Sequence, residues 1–163
     1  MLSFNRRSLL LLLLPLAACG FEPVYGPDSA AKNLLGKVDV EVQNGRAQFE
    51  FRDRFQEVMG ETNDGSPYLT TYDLNISERD IVISQAQGIT RWSVKGVITY
   101  DVVERATGAV VLNGSAQSNT AYNATSGTFQ TDVARTDARV RLARDLADKV
   151  TTRLVTTAAG WAK

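Results

Sequence analysis

The chain has 163 residues, 44% hydrophobic and 22% charged, a composition that argues for a folded domain and against a disordered or fibrous chain. Its 18 lysines and arginines balance 18 aspartates and glutamates, so broad electrostatic attraction to nucleic acid is not expected. Histidine is absent and cysteine occurs once, which removes the usual general base, the histidine-assisted serine or cysteine nucleophile and the commonest zinc ligands together.

Arg6 and Arg7 supply a positive start, Leu9 to Leu14 an unbroken apolar run, and Leu16-Ala17-Ala18-Cys19 a small-residue cleavage region, the parts of a secretory signal. The apolar stretch from Ser8 to Ala18 is shorter than the roughly 20 residues a membrane-spanning helix needs. The run before Cys19 resembles the bacterial lipobox. That resemblance implies that Cys19 becomes the first mature residue and carries a diacylglyceryl thioether and an N-acyl chain, enough lipid for stable anchoring. Gly20, and not Asp, follows it, which in the sorting rule it resembles favours the outer membrane. Arg6-Arg7-Ser8-Leu9-Leu10 also resembles a twin-arginine signal, so the export route stays open. Cleavage after Ala18 would leave 145 of the 163 residues, with 16 basic against 18 acidic side chains. One domain of that size can bury a core.

Residues 19–36 read as a lipidated tether, because Gly20-Phe21-Glu22-Pro23-Val24-Tyr25-Gly26-Pro27 is too rich in Pro and Gly for regular structure. A single domain is expected over 37–163. Val38, Val40 and Val42 alternate with polar residues and predict a strand. Asn44-Gly45 breaks it. Ala47, Phe51, Phe55, Val58 and Met59 then fall on one face of a helix over 46–59, with Gly60 as its stop. Tyr72, Leu74 and Ile76 predict a second strand, with Ile81-Val82-Ile83 continuing it or forming a collinear one. After a turn at Gly88, Trp92, Val94, Ile98, Tyr100 and Val102 share a third strand's apolar face, where Gly96 predicts a bulge or a close approach of another backbone. A hairpin at Arg105-Ala106-Thr107-Gly108 leads to a fourth strand through Val110, Leu112, Gly114 and Ala116, paired with the third. Residues 115–128 stay open between strand and loop. Ala138, Leu142, Leu146, Val150 and Leu154 recur four apart and predict a long last helix, with an Asp145–Lys149 pair on its surface. Its arginines at 135, 139, 141, 144 and 153, interleaved with Asp137, Asp145 and Asp148, are expected to form a solvated face.

These elements predict an α+β fold, a two-layer sandwich of a four-stranded mixed sheet with two helices packed on one face, in the order β-α-β-β-β-α. A right-handed crossover would make the first two strands parallel if they are neighbours. The sheet's other face carries Val97, Val103, Ala109 and Val111 beside polar groups, a pattern open to a protein contact or to plain strand propensity. The carboxylates Asp53, Glu57, Glu61, Asp64, Asp73, Glu78, Asp80, Asp101 and Glu104 follow no pattern that sets two in a cleft, and are expected as solvated surface. A distant glycosidase-like pair stays open. No phosphate-binding or dinucleotide motif occurs. A non-enzymatic protein without cofactor or metal is therefore expected.

The lipobox, the run Cys19-Gly20-Phe21-Glu22-Pro23-Val24-Tyr25-Gly26, the valine strand and the Phe-rich helix together resemble the LPS-assembly lipoprotein family LptE. Thr90-Arg91-Trp92, Tyr100-Asp101-Val102, Ala106-Thr107-Gly108 and Ala138-Arg139 with Leu142-Ala143 extend the resemblance over the chain. It implies an outer-membrane lipoprotein lodged as a plug in the β-barrel protein LptD, helping the barrel to assemble and lipopolysaccharide to reach the outer leaflet. A lipopolysaccharide site needs cations for phosphates beside room for acyl chains. Arg91 and Lys95, on one strand face beside the Gly88 turn, are the expected pair. The alternative is a periplasmic auxiliary lipoprotein of an ABC-type lipid transport system.

Overall fold

The valine alternation stops sooner than its period implies. β1 covers only Val38–Val40, with both valines buried, whereas Val42 is 69% exposed. The chain is already leaving the sheet for the Asn44-Gly45 turn. Glu41 N–H still donates to the Thr70 carbonyl at 2.9 Å, but beyond it the Gln43 side-chain amide, and not backbone, reaches the Tyr72 carbonyl at 2.6 Å. This computed structural model describes residues 29–62, 65–81 and 90–162. Cys19, Val82, Ile83 and Gly88 lie outside them.

A short helix not expected from the sequence, α1 (Ala30–Leu34), precedes β1. Its N-cap, the Ser29 hydroxyl, accepts from the Lys32 N–H at 3.2 Å, and Ala31 and Leu34 are buried, so packing reaches back into the tether stretch. α2 (Arg46–Met59) buries Phe51, Phe55 and Met59 completely, the face that its spacing of three and four dictates. It ends at Gly60, whose φ of 89° suits glycine and whose N–H closes on the Gln56 carbonyl.

Three long strands follow: β2 (Tyr68–Ile81), β3 (Thr90–Glu104) and β4 (Val110–Ala124). Their sheet order is β1-β2-β3-β4, with β1 parallel to β2 and the rest antiparallel, so the α2 crossover does join parallel neighbours. The stretch left open from residue 115 is strand as far as Ala124, because Ala116, Ser118, Thr120 and Tyr122 pair in register with Ile98, Gly96, Val94 and Trp92. Gly96 sits in regular register, so the expected bulge is absent there and the one irregularity falls between Val102 and Val103. What approaches Gly96 is a pair of side chains and not backbone: a Cβ there would lie 2.9 Å from Leu142 Cδ2 and from Leu146 Cδ1.

Those leucines belong to α3 (Thr128–Thr157), which is followed by a 3-10 turn at Ala158–Gly160. Ala138, Leu142, Leu146, Val150 and Leu154 are all buried, with Ala143 and Ala147 beside them. Small residues on that stripe let α3 lie close across β3 and β4, while α2 packs beside it and against β1. The Phe51 ring meets Tyr72 of β2 at 4.7 Å, so both long helices cover the same sheet face. The fold is the expected α+β two-layer sandwich with a four-stranded mixed sheet, with α1 added at its start.

Candidate functional site

Strand side chains alternate between faces, so burying the even-numbered positions of β2 and β3 under the helices turns the odd-numbered ones outward. No described element covers that outer face. It presents Thr71, Asp73, Asn75, Ser77 and Arg79 from β2, Ser93, Lys95, Thr99 and Asp101 from β3, and Asn113, Ser115, Gln117, Asn119 and Asn123 from β4. The four apolar residues read onto this face from the sequence do not all lie on it together. Ala109 precedes β4, Val111 packs against the core beside the strand irregularity, Val97 stands between Asn75 and Gln117, and Val103 lies level with Leu69 of β2 and Val110 of β4, a small apolar group at the far end of the face.

Arg91 and Lys95 do share this face, both exposed, Arg91 level with Ile81 and Asn123 and Lys95 level with Ser77 and Asn119. Four residues of strand separate them by about 13 Å. The register adds a third cation that the sequence reading missed: Arg79, outward on β2 and level with Ser93, sits about 8 Å from the backbone of each. Extending the Tyr72 strand's alternation through residue 79 would have found it. Among the described residues, no carboxylate lies within ion-pair distance of Arg79, Arg91 or Lys95. The opposite end of the face is acidic, with Asp73 level with Thr99 and Asp101 level with Thr71. There a shallow concavity of about 510 Å³ is lined by both aspartates, Thr71, Thr99, Asn113 and Ser115. The outer face is thus a mostly polar plane with cations toward one end and carboxylates toward the other, separated along the strands by about 13 Å between the levels of Lys95 and Asp73 and by about 33 Å between Arg91 and Asp101.

Behind the cationic end, on the helix side, Glu78 is nearly buried, accepts from two groups and lies in ion-pair reach of a third. Arg139 reaches one carboxylate oxygen at 2.6 Å, and the Tyr122 hydroxyl donates to the other at 3.0 Å. Arg135 Nε donates to Tyr122 Oη at 3.1 Å and lies 3.5 Å from the carboxylate, with its guanidinium over the Tyr122 ring. Trp92 stacks on the same tyrosine with ring planes 6° apart. Two expectations are corrected here. Glu78 is not solvated surface; Glu50, on which the sequence made no expectation, is likewise 3% exposed between Arg46 at 2.7 Å and Arg144 at 2.9 Å. The α3 arginines are not merely a solvated face, since Arg135 and Arg139 tie α3 to β2 and Arg144 ties it to α2, with Arg54 of α2 returning to Asp148 at 2.7 Å. Asp145 does pair with Lys149 at 2.8 Å, and the Lys149 and Ser118 hydrogen bonds hold its carboxyl below the usual aspartate range.

At the same end, α3 begins with Phe129 at 77% and Val133 at 53% exposure, lining a hollow of about 440 Å³ with Val140, Arg46, Asp132 and Asp137. Among the described residues no cluster of three or more His, Cys, Asp or Glu could hold a metal ion, and no helix is long and apolar enough to cross a membrane.

No family model and no curated relative matches the chain. Solved structures do share its fold. A candidate lipoprotein of Caulobacter crescentus superposes with a TM-score of 0.66 at 18% identity, covering 80% of this chain and 96% of that one. The minor lipoprotein of Acinetobacter baumannii gives 0.54 at 11% identity over 76% and 94% of the two chains. The rare lipoprotein B of Shewanella oneidensis gives 0.54 at 6% over 76% and 95%. These similarities cover nearly the whole of each neighbour, so this sandwich is a complete domain in each of them.

Proposed function

We propose that this chain is a lipid-anchored outer-membrane lipoprotein, attached through Cys19, that plugs the LptD β-barrel, assists its assembly and helps pass lipopolysaccharide to the outer leaflet without making or breaking a bond. The observation that carries this reading is the bare sheet face. A sheet normally buries at least one face and leaves the other wet, but this wet face is laid out mainly as hydroxyls and amides, with three cations gathered toward one end, aspartates toward the other and a few apolar side chains among them. Such a plane suits the hydrated lumen of a barrel, and its cationic end suits the phosphates of a glycolipid. Arg91 and Lys95 are the proposed phosphate contacts, with Arg79 as the third. The fold shared with three lipoprotein structures, over 76–80% of this chain, supports the anchored class, and the sequence resemblance to LptE supports the partner.

The test is to solubilise outer membranes in mild detergent, recover an affinity-tagged form of the full chain and identify what accompanies it. Stoichiometric recovery of one large β-barrel protein is the expected result. Recovery of inner-membrane transport subunits would replace the plug reading with that of an auxiliary transport lipoprotein, and recovery of nothing would sink both.

A further inference from the structure

β4 is an edge strand, and it breaks the rules by which edges are kept from pairing. Natural edge strands are short, bulged, interrupted by proline or marked with charge. β4 runs fifteen residues, Val110–Ala124, without a charged residue or a proline. Its register with β3 is unbroken from Thr90 and Ala124 to Val102 and Leu112. The other two long strands each carry at least four charged side chains, so β4 differs from its own neighbours.

The direction of its outer hydrogen-bonding groups is fixed by two contacts. The carbonyls of Gln117 and Ala121 accept from Lys149 Nζ at 3.0 Å and Arg141 Nη2 at 3.4 Å, so these residues point away from β3. Both groups of a strand residue point the same way and the period is two, so Asn113, Ser115, Gln117, Asn119, Ala121 and Asn123 all present N–H and C=O outward. The two cations cover only carbonyls. Among the described residues nothing accepts from the outward N–H groups. A row of donors and acceptors repeating every second residue matches one kind of occupant, an extended backbone. Beside the row, α3 forms the far wall of a groove of about 420 Å³, with Leu142 on its floor and Arg141, Asp145 and Lys149 along its rim. An added strand would have its main chain on the edge and alternate side chains in that groove.

We infer that β4 pairs through its outer edge with an extended segment of the barrel partner, extending the sheet to a fifth strand; this rests on the plug reading above. The incoming N–H groups replace Lys149 and Arg141 at the Gln117 and Ala121 carbonyls, and the released cations then favour acidic or polar side chains on the groove side of that segment.

Asn119→Pro removes one outward N–H and no bond to β3, a place where an edge strand tolerates proline. The full lipidated chain and this variant are each co-expressed with the LptD barrel protein and recovered from solubilised outer membranes. Barrel recovery with the variant is expected to fall at least tenfold while its own melting profile stays that of the wild type. Amide hydrogen exchange on the unaltered chain gives a second measurement, with residues 113–123 exchanging at least tenfold more slowly in the complex than alone. Undiminished recovery with the variant, or equal exchange in the two states, overturns the edge pairing and leaves the plug reading standing. Failure of the wild type to recover the barrel overturns the plug reading and this partner with it. A proline-sensitive dimer of the isolated chain assigns the edge to a second copy instead.

Discussion

The two faces of this sheet are written in different chemistry by the same strands. On the inner face, Val94, Ile98 and Val102 of β3 are fully buried, and polar positions too are drawn in: Ser118 is buried and donates to Asp145, and Glu78 is held by two arginines and a tyrosine. On the outer face the alternate residues of β3 include Lys95, Thr99 and Asp101, exposed and under no helix, with Val97 and Val103 between and beyond them. On the proposed function, stability and contact fall to opposite parities of one strand. A substitution one position along should change from a folding defect to a binding defect, and the predictions below test that separation.

The largest expected effect is on the inner side. Phe55 is fully buried 6.1 Å from the Phe51 ring, so Phe55→Ala should cost about 3–5 kcal/mol through lost burial and the cavity left behind, read as a lower denaturation midpoint at unchanged slope. An effect near zero would mean that α2 does not share the core with the sheet. Glu78→Ala should come next. It strips the acceptor from the Tyr122 hydroxyl and from Arg139 but leaves both cations partly in water, so a loss of about 1–3 kcal/mol is expected by denaturant unfolding. Charge itself would be separated from shape by Glu78→Gln, which should recover part of that loss.

How much of this could be read from the chain follows the same division. Period four made α3 legible residue by residue, and period two made β3 legible, because burial repeats with the geometry of the element. The length of β1 was not legible: Val42 continues the alternation, yet the turn at Gly45 takes the backbone off the sheet first. Glu78 left a usable signal, an acid at the fourth inward position after Tyr72, Leu74 and Ile76. Its partners at 135 and 139, one turn apart, become visible only once α3 is laid across the sheet. Arg79 was legible by parity, and its company with Arg91 and Lys95 was not, since strand register depends on where the β2–β3 connection turns. The uncharged run of β4 stood in the sequence throughout, but only the sheet order shows that it lies at an edge.

A smaller effect on the inner side has the opposite sign. Tyr72 is 7% exposed, and its hydroxyl has no protein partner among the described residues. Burial, with Glu41 adding to it, pushes the phenol from 10.0 up to about 12. The folded state then holds this proton more tightly than the unfolded one. Its contribution is whole below pH 10.0 and is lost as pH rises through about 12. Tyr72→Phe should therefore stabilise the protein slightly at neutral pH, by up to about 1 kcal/mol, since it removes an orphan hydroxyl and keeps the ring against Phe51. It should also flatten the alkaline loss, leaving the part due to Tyr100, whose phenol burial likewise raises. A destabilised variant with an unchanged alkaline limb would show that the hydroxyl is satisfied.

The smallest effect on stability should come from the outer face, and there it should be paired with the largest effect on binding. Arg91→Glu with Lys95→Glu alters two exposed side chains that pair with no carboxylate in the described structure, so the change in unfolding free energy should stay within about 0.5 kcal/mol. Binding of the full chain to vesicles containing lipopolysaccharide should nevertheless weaken by about tenfold or more, because a charge-assisted hydrogen bond to an anionic group contributes about 1.5–3 kcal/mol and reversal adds repulsion. The remaining affinity should also depend less steeply on salt, since fewer screened attractions are left to lose. Reversing the other end, with Asp73→Lys and Asp101→Lys, is the control for plain net charge. If the cations act as a local site, that variant binds the vesicles no worse than the wild type. If both double variants shift binding only in proportion to the whole protein's charge, the face is a general electrostatic surface and Arg91 and Lys95 lose their special role.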